Sequence, residues 1–282
     1  MASRQPELSV QNLIVWETRD LRAAGWSREA IARAVADGAI VRVRRGRFMD
    51  ASTHGDVLDA ARVGGRLDCV SLLANLGVFV HHRSGLHVQQ DPVASRRPRS
   101  PRGIRYHWRP IRAPRDSAVV DVVDALAQAV RCQPPRAAIA TLDSAWHLGW
   151  VDEAGIEEVF ARVPRRFRVL RPLLDRRSEA GTETLVRLVL RSLGCHVRLQ
   201  VHIDGVGRVD LLVNGWLIVE CDSEQFHGTW QNHKSDRRRD LAALERGYVT
   251  VRLLAEDILF HPGRVRAALA RVLAAGAPRP NS

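Results

Sequence analysis

Two periods of apolar residues alternate along this chain, and they divide it into readable elements. Over residues 18–50, TRDLRAAGWSREAIARAVADGAIVRVRRGRFMD, helical spacing gives way to strand spacing. The pattern predicts a helix over about Thr18–Ala24, broken by Gly25, and a second helix capped by Ser27, with Ile31, Ala34 and Val35 on one face. Gly38 follows as the residue that ends it, Ile40, Val41 and Val43 form a strand, and Arg47-Phe48-Met49 returns from a tight turn. Residues 56–172 read as mainly helical, with Val119, Val122, Val123 and Leu126 on one face of a scaffold helix. From Ser178, a helix N-cap by type, Leu185, Leu188, Val189 and Leu193 recur at helical spacing until Gly194. CHVRLQVHI alternates as a strand, and two apolar strands, Val209–Val213 and Trp216–Cys221, flank Asn214-Gly215. A helix from Asn232 to Gly247, the strand YVTVRLL and a terminal helix in PGRVRAALARVLAA complete an α/β domain.

Composition narrows the class. The 282 residues are 45% hydrophobic and 26% charged, a globular balance, and no run nears the ~18 apolar residues of a membrane span. MASRQPELSV lacks the apolar core of a signal peptide, so a soluble, cytoplasmic protein is expected. Cys69, Cys132, Cys195 and Cys221 lie 63, 63 and 26 residues apart; with no CxxC pair, a zinc ribbon or a disulfide-stapled fold is not expected. His81-His82 are adjacent and point apart, so no metal site is read there, and no chemistry is assigned to the middle region.

Charge then sharpens the picture. The net charge is +12, and Lys234 is the single lysine among 43 cations. Residues 1–172 hold 27 arginines against 18 acids, whereas residues 173–276 are close to balanced. Eight arginines between 92 and 115 occur without one acid: Arg96, Arg97, Arg99, Arg102, Arg105, Arg109, Arg112 and Arg115. Such a footprint suits a polyanion, and a helix-turn-helix with a wing is built to meet DNA. Arg28 and Arg33 fall on the exposed side of the second helix, and Arg42, Arg44, Arg45 and Arg47 lie on the wing, where they would straddle phosphates. On the "GWSREAI" helix start and the "RVRRGRF" wing, residues 8–55 resemble the winged-helix domain opening bacterial antitoxins of the AbiE type. The resemblance implies a type IV toxin–antitoxin setting.

The second half carries candidate catalytic chemistry. Asp210, Glu220 and Asp222 intrude on apolar strands, where a lone charge is costly, so together they suggest a cation site suited to Mg²⁺ or Mn²⁺. A two-residue Asn-Gly hairpin would oppose Asp210 to Val219 and send Glu220 to the other face. A shared site therefore predicts a bulged or three-residue turn instead; the loop Asn214–Trp216, with Asn or Gly in the left-handed region, would supply it. The order helix-Glu183, strand-Asp210, strand-Glu220, with "RVDLLV", "LIVECDSEQFHG", "DRRRDLAALERGYVTVRLLAEDIL" and "HPGRVRAAL", resembles the PD-(D/E)XK nuclease superfamily, and more narrowly the domain related to very-short-patch repair endonucleases. That resemblance implies that Asp210 and Glu220, with the Cys221 carbonyl, hold Mg²⁺ (or Mn²⁺), and that Glu183 reaches in. The family lysine is replaced by Asp222; His227 is a candidate acid/base, and Lys234 or Arg238 a substitute cation, Arg238 also counting as a DNA contact.

The expected layout is a winged helix-turn-helix over 1–55, a mainly helical middle over 56–172, an endonuclease-like mixed sheet flanked by helices over 173–276, and a tail over 277–282. The expected activity is Mg²⁺-dependent DNA phosphodiester hydrolysis. The alternative is an antitoxin-like or transcriptional regulator that binds DNA with an inactive nuclease fold. DNA is the expected partner, without a membrane; a homodimer is compatible with the pattern.

Overall fold

The computed structural model describes residues 13–92, 103–222 and 230–277, the last segment with side chains from 237 onward. The chain forms two compact units: Met1–Gln133 with Trp150–Arg168, and Pro134–Gly149 with Val169–Ser282. The architecture is mixed α/β, with three small sheets.

The first unit opens with β1 (Trp16–Glu17), α1 (Thr18–Ala23), α2 (Arg28–Ala36), β2 (Ile40–Arg44) and β3 (Arg47–Asp50). Ser27 caps α2, its hydroxyl oxygen accepting the Ala30 N–H at 3.1 Å. Leu21, Ile31, Ile40 and Phe48 close a small core between the helices and the sheet, whose order is β1-β3-β2. The β2–β3 hairpin turns on Arg45-Gly46, with Gly46 at φ +71°, a tight turn that glycine adopts without strain.

The region read as mainly helical contains α3 (Gly55–Arg62), β4 (Arg66–Leu67), α4 (Cys69–Asn75), β5 (Leu86–Gln90), β6 (Ile104–Trp108) and α5 (Val122–Cys132). The sheet β4-β5-β6 is an addition to that reading. Its strands escape pattern recognition because most of their buried positions are polar: His87, Gln89, Gln90 and His107 are buried alongside Leu67 and Val88. The next helix, α6 (Pro135–His147), belongs to the second unit, and α7 (Glu153–Arg162) to the first.

The second unit continues with α8 (Gly181–Ser192), β7 (Val197–Ile203), β8 (Gly207–Val213), β9 (Leu217–Asp222), α9 (Trp230–Glu245), β10 (Val249–Leu254), α10 (Ala255–Phe260) and α11 (Pro262–Ala275). Its sheet has the order β10-β9-β8-β7; β10 runs parallel to β9 and the remaining pairs are antiparallel. One face packs Val186, Val189 and Leu190 of α8 with Val265 and Leu269 of α11, and the other packs Ala243 of α9. Ser178 is not the N-cap expected of it. The helix starts at Gly181 after Ala180, and Glu183 at its third position accepts the Ala180 N–H at 3.2 Å.

The β8–β9 turn decides the site. Val213 pairs with Leu217 and Leu211 with Val219, leaving the three-residue loop Asn214–Trp216 with Asn214 at φ +51° and Gly215 at φ +80°. This is the register that a shared carboxylate site demands, and it sets Asp210 opposite Glu220. A second irregularity lies beside it. Gln200 in β7 has φ +51°, and there the strands change faces: Leu199 and Leu211 pack with α8, whereas Val201 and Val209 pack with α9. A regular strand would keep residues i and i+2 on one face. The sheet therefore turns over at Gln200 and Asp210.

Candidate functional site

In the first unit, Arg28 and Arg33 on α2 and Arg42, Arg44 and Arg45 on the hairpin are exposed, as a phosphate-facing surface requires. Arg42 lies over the Phe48 ring with its guanidinium carbon 5.3 Å from the centroid, which holds the side chain along the wing. Arg47 departs from the expectation. It is half-buried and paired with Glu17 Oε1 at 2.8 Å, so part of its charge is neutralised within the unit.

The arginine-rich stretch is likewise only partly available to a partner. Arg96, Arg97, Arg99 and Arg102 lie outside the described residues, while Arg105 and Arg115 are exposed. Arg109 instead turns inward to Asp68, at 2.7 and 2.9 Å from its two carboxylate oxygens, and to Asp124 at 3.5 Å. Arg112 pairs with Glu158 at 2.7 Å.

The second unit gathers the acidic residues around the place where its sheet turns over. The Asp210 N–H donates to Glu220 Oε2 at 3.2 Å, and the Cys221 N–H donates to Asp210 Oδ2 at 2.9 Å, so side chains replace ladder bonds at this pair. Glu183 stands nearby on α8. Its Oε2 accepts the Glu179 N–H at 3.0 Å and a Gln200 Nε2 hydrogen at 3.0 Å. Burial pushes the Glu183 carboxyl up to about 7, and the charge of Asp210 adds to the push. Glu220 is raised to about 7 by the same two causes, against the pull of Arg239. Two carboxyls thus crowd a third without enough positive charge beside them.

The cations near these acids are not the ones singled out by sequence. Arg239 reaches Glu220 Oε1 at 3.5 Å while donating to the Val206 and Arg208 carbonyls, and Arg238, its exposed neighbour, makes no such approach. Arg252 on β10 lies beside Glu220 in register, 3.7 Å from Asp222 Oδ1 and 2.8 Å from Asp240 Oδ1. His227 lies outside the described residues, and Lys234 lies in α9 with its side chain outside them. Gln200 was also missed; its one signal is a polar residue in the middle of an otherwise alternating strand. Its Oε1 is buried and has no hydrogen-bond partner among the described residues.

Comparison with known proteins bears on the first unit most directly. Residues 18–48 match the model of the family described as "Transcriptional regulator, AbiEi antitoxin". Over the longer chain, two relatives from Mycobacterium tuberculosis are similar: "Uncharacterized protein MT2308" (strain CDC 1551 / Oshkosh) and "Uncharacterized protein Rv2248" (strain ATCC 25618 / H37Rv). Each is 29% identical over 272 residues, spanning 88% of this chain and 97% of the relative. Among the described residues, no helix is long and apolar enough to cross a membrane.

Proposed function

We propose that this is a DNA-binding protein of the bacterial cytoplasm, with a winged-helix reader in the first unit and a metal-dependent nuclease-type site in the second. The observation that carries the second half is the three-residue turn, which opposes Asp210 to Glu220 beside Glu183. The residues suit Mg²⁺ or Mn²⁺ in kind. Asp210, Glu220, the Cys221 carbonyl and Gln200 Oε1 are hard oxygens, and the buried, unpartnered Gln200 oxygen is what such an ion would satisfy. When bound, Mg²⁺ supplies neutralisation of phosphate charge and acidification of water. Glu183 and Glu220, with carboxyls near neutrality, are suited to hold or release a proton at their Oε atoms. Arg239 offers the phosphate a cation in place of the family lysine, which Asp222 replaces.

One observation favours a second reading, a regulator whose nuclease fold does not cut. Arg239 and Arg252 are already engaged with Glu220, Asp222 and Asp240, and Glu183 serves as the cap of its own helix. Incubating the full chain with plasmid, mismatch-bearing and branched DNA in Mg²⁺ separates the two. Cleavage that Asp210→Ala and Glu220→Ala abolish supports the nuclease. Retained DNA binding with no cleavage of any substrate would establish the regulator.

A further inference from the structure

A second constellation lies in the first unit, in the region where the sequence announces no chemistry. Cys69 opens α4, His87 lies on β5, His107 on β6 and Cys132 closes α5. One ligand atom from each falls within 4.8 Å of all the others, and this is the only such set of three or more His, Cys, Asp or Glu among the described residues. His107 Nε2 is 3.2 Å from His87 Nδ1 and 3.9 Å from Cys132 Sγ. Zn–N bonds of about 2.0–2.1 Å and Zn–S bonds of about 2.3 Å give tetrahedral edges of roughly 3.3 Å between nitrogens and 3.6 Å between nitrogen and sulfur. The His107–His87 and His107–Cys132 separations lie within a few tenths of an ångström of those edges, and the remaining ones are no longer than 4.8 Å.

The surroundings fit the same purpose. Cys69, His87 and His107 are buried and Cys132 is half-buried, and four protein ligands would fill a tetrahedral zinc, with no position left open for a substrate. Cys69 adopts φ +54°, a conformation that a side chain rarely takes and that persists only where the surroundings impose it. A frame joins the two cysteines. Asp68 accepts the Cys69 N–H at 2.7 Å and binds Arg109; Arg109 Nε donates to Gln128 Oε1 at 3.0 Å; and Gln128 Nε2 donates to Cys132 Sγ at 3.2 Å. An N–H aimed at sulfur favours the thiolate that a metal requires.

We propose that Cys69, His87, His107 and Cys132 hold a structural zinc ion in a closed Cys₂His₂ site, tying α4 and α5 to the sheet of the first unit. Two sulfurs and two imidazoles select Zn²⁺ over the hard cations suited to the acidic cluster, so this site stands independently of the nuclease reading. The test is metal analysis of the full chain, purified under reducing conditions from zinc-supplemented culture. One zinc per chain is expected, kept by Asp210→Ala and Glu220→Ala and lost from Cys69→Ser and Cys132→Ser. Co²⁺ exchanged into the wild type should show tetrahedral visible bands with a thiolate-to-cobalt absorption, a readout that does not depend on the variants folding. A folded wild type that takes up no zinc, a Cys69–Cys132 disulfide in peptide mapping, or zinc and cobalt bands that persist in the cysteine variants would each overturn the proposal.

Discussion

Arg187 is a fully buried charge of the second unit, at 1% exposure. Its Nη2 lies 2.7 Å from Asp143 Oδ2, and Asp143 also accepts the Thr184 hydroxyl at 2.9 Å and the Asp175 N–H at 2.8 Å. Burial still raises the Asp143 carboxyl to about 6, despite Arg187. Removing one partner strands the other in the core, so Arg187→Ala should lower unfolding stability by about 3–5 kcal/mol in urea titration, and Arg187→Met with Asp143→Leu by much less. Glu183 and Glu220 make a prediction of opposite use. Their folded carboxyls keep a proton to about 7, whereas the unfolded chain releases it near 4.5. Between those values the folded chain binds more protons, so their stabilising contribution is present below 4.5 and is lost as pH rises through 7. Denaturation midpoints across that window should fall with pH without divalent metal and flatten in saturating Mn²⁺; a slope indifferent to Mn²⁺ would remove these carboxyls from any cation site.

At the scale of elements, the β8–β9 turn was legible because two facts had to agree. Asp210 and Glu220 are too costly to bury on separate faces, and Asn-Gly is the pair that can enter the left-handed region; together they required the odd loop observed at Asn214–Trp216. Deleting Gly215 shortens the loop to two residues but leaves Val213 opposite Leu217, so Asp210 should stay opposite Glu220. The expected result is that Mn²⁺ binding by calorimetry persists; its loss with the helical signal in circular dichroism intact would show that the site depends on the turn itself rather than on the register. The start of α8 was misread for an equally physical reason. Ser178 is a good cap by type, but Glu183 supplies the cap bond from within the helix and the chain begins to wind only at Gly181. Strands β5 and β6 stayed hidden because, apart from Val88, their buried residues are histidines and glutamines, which no apolar periodicity can mark.

Over the whole molecule, the +12 charge is less free than its count suggests. Arg47, Arg109 and Arg112 are held by acids of their own unit, while Arg28, Arg33, Arg44 and Arg45 remain exposed on α2 and the wing. Replacing those four by alanine should weaken binding to all duplexes and reduce the slope of log K against log salt by up to about 0.9 for each phosphate no longer neutralised. Unchanged affinity and slope would place the DNA surface elsewhere. The sequence by itself determined the element types of the winged helix and of the second unit's sheet and helices, the exposed arginines of α2 and the wing, and the parity that joins Asp210 to Glu220, because each follows from local spacing. Tertiary structure alone decided which arginines are neutralised, that Arg239 and Arg252 attend the acids, and that Cys69, His87, His107 and Cys132 meet. Those outcomes depend on the approach of residues tens of positions apart, and such approaches leave no periodic trace along the chain.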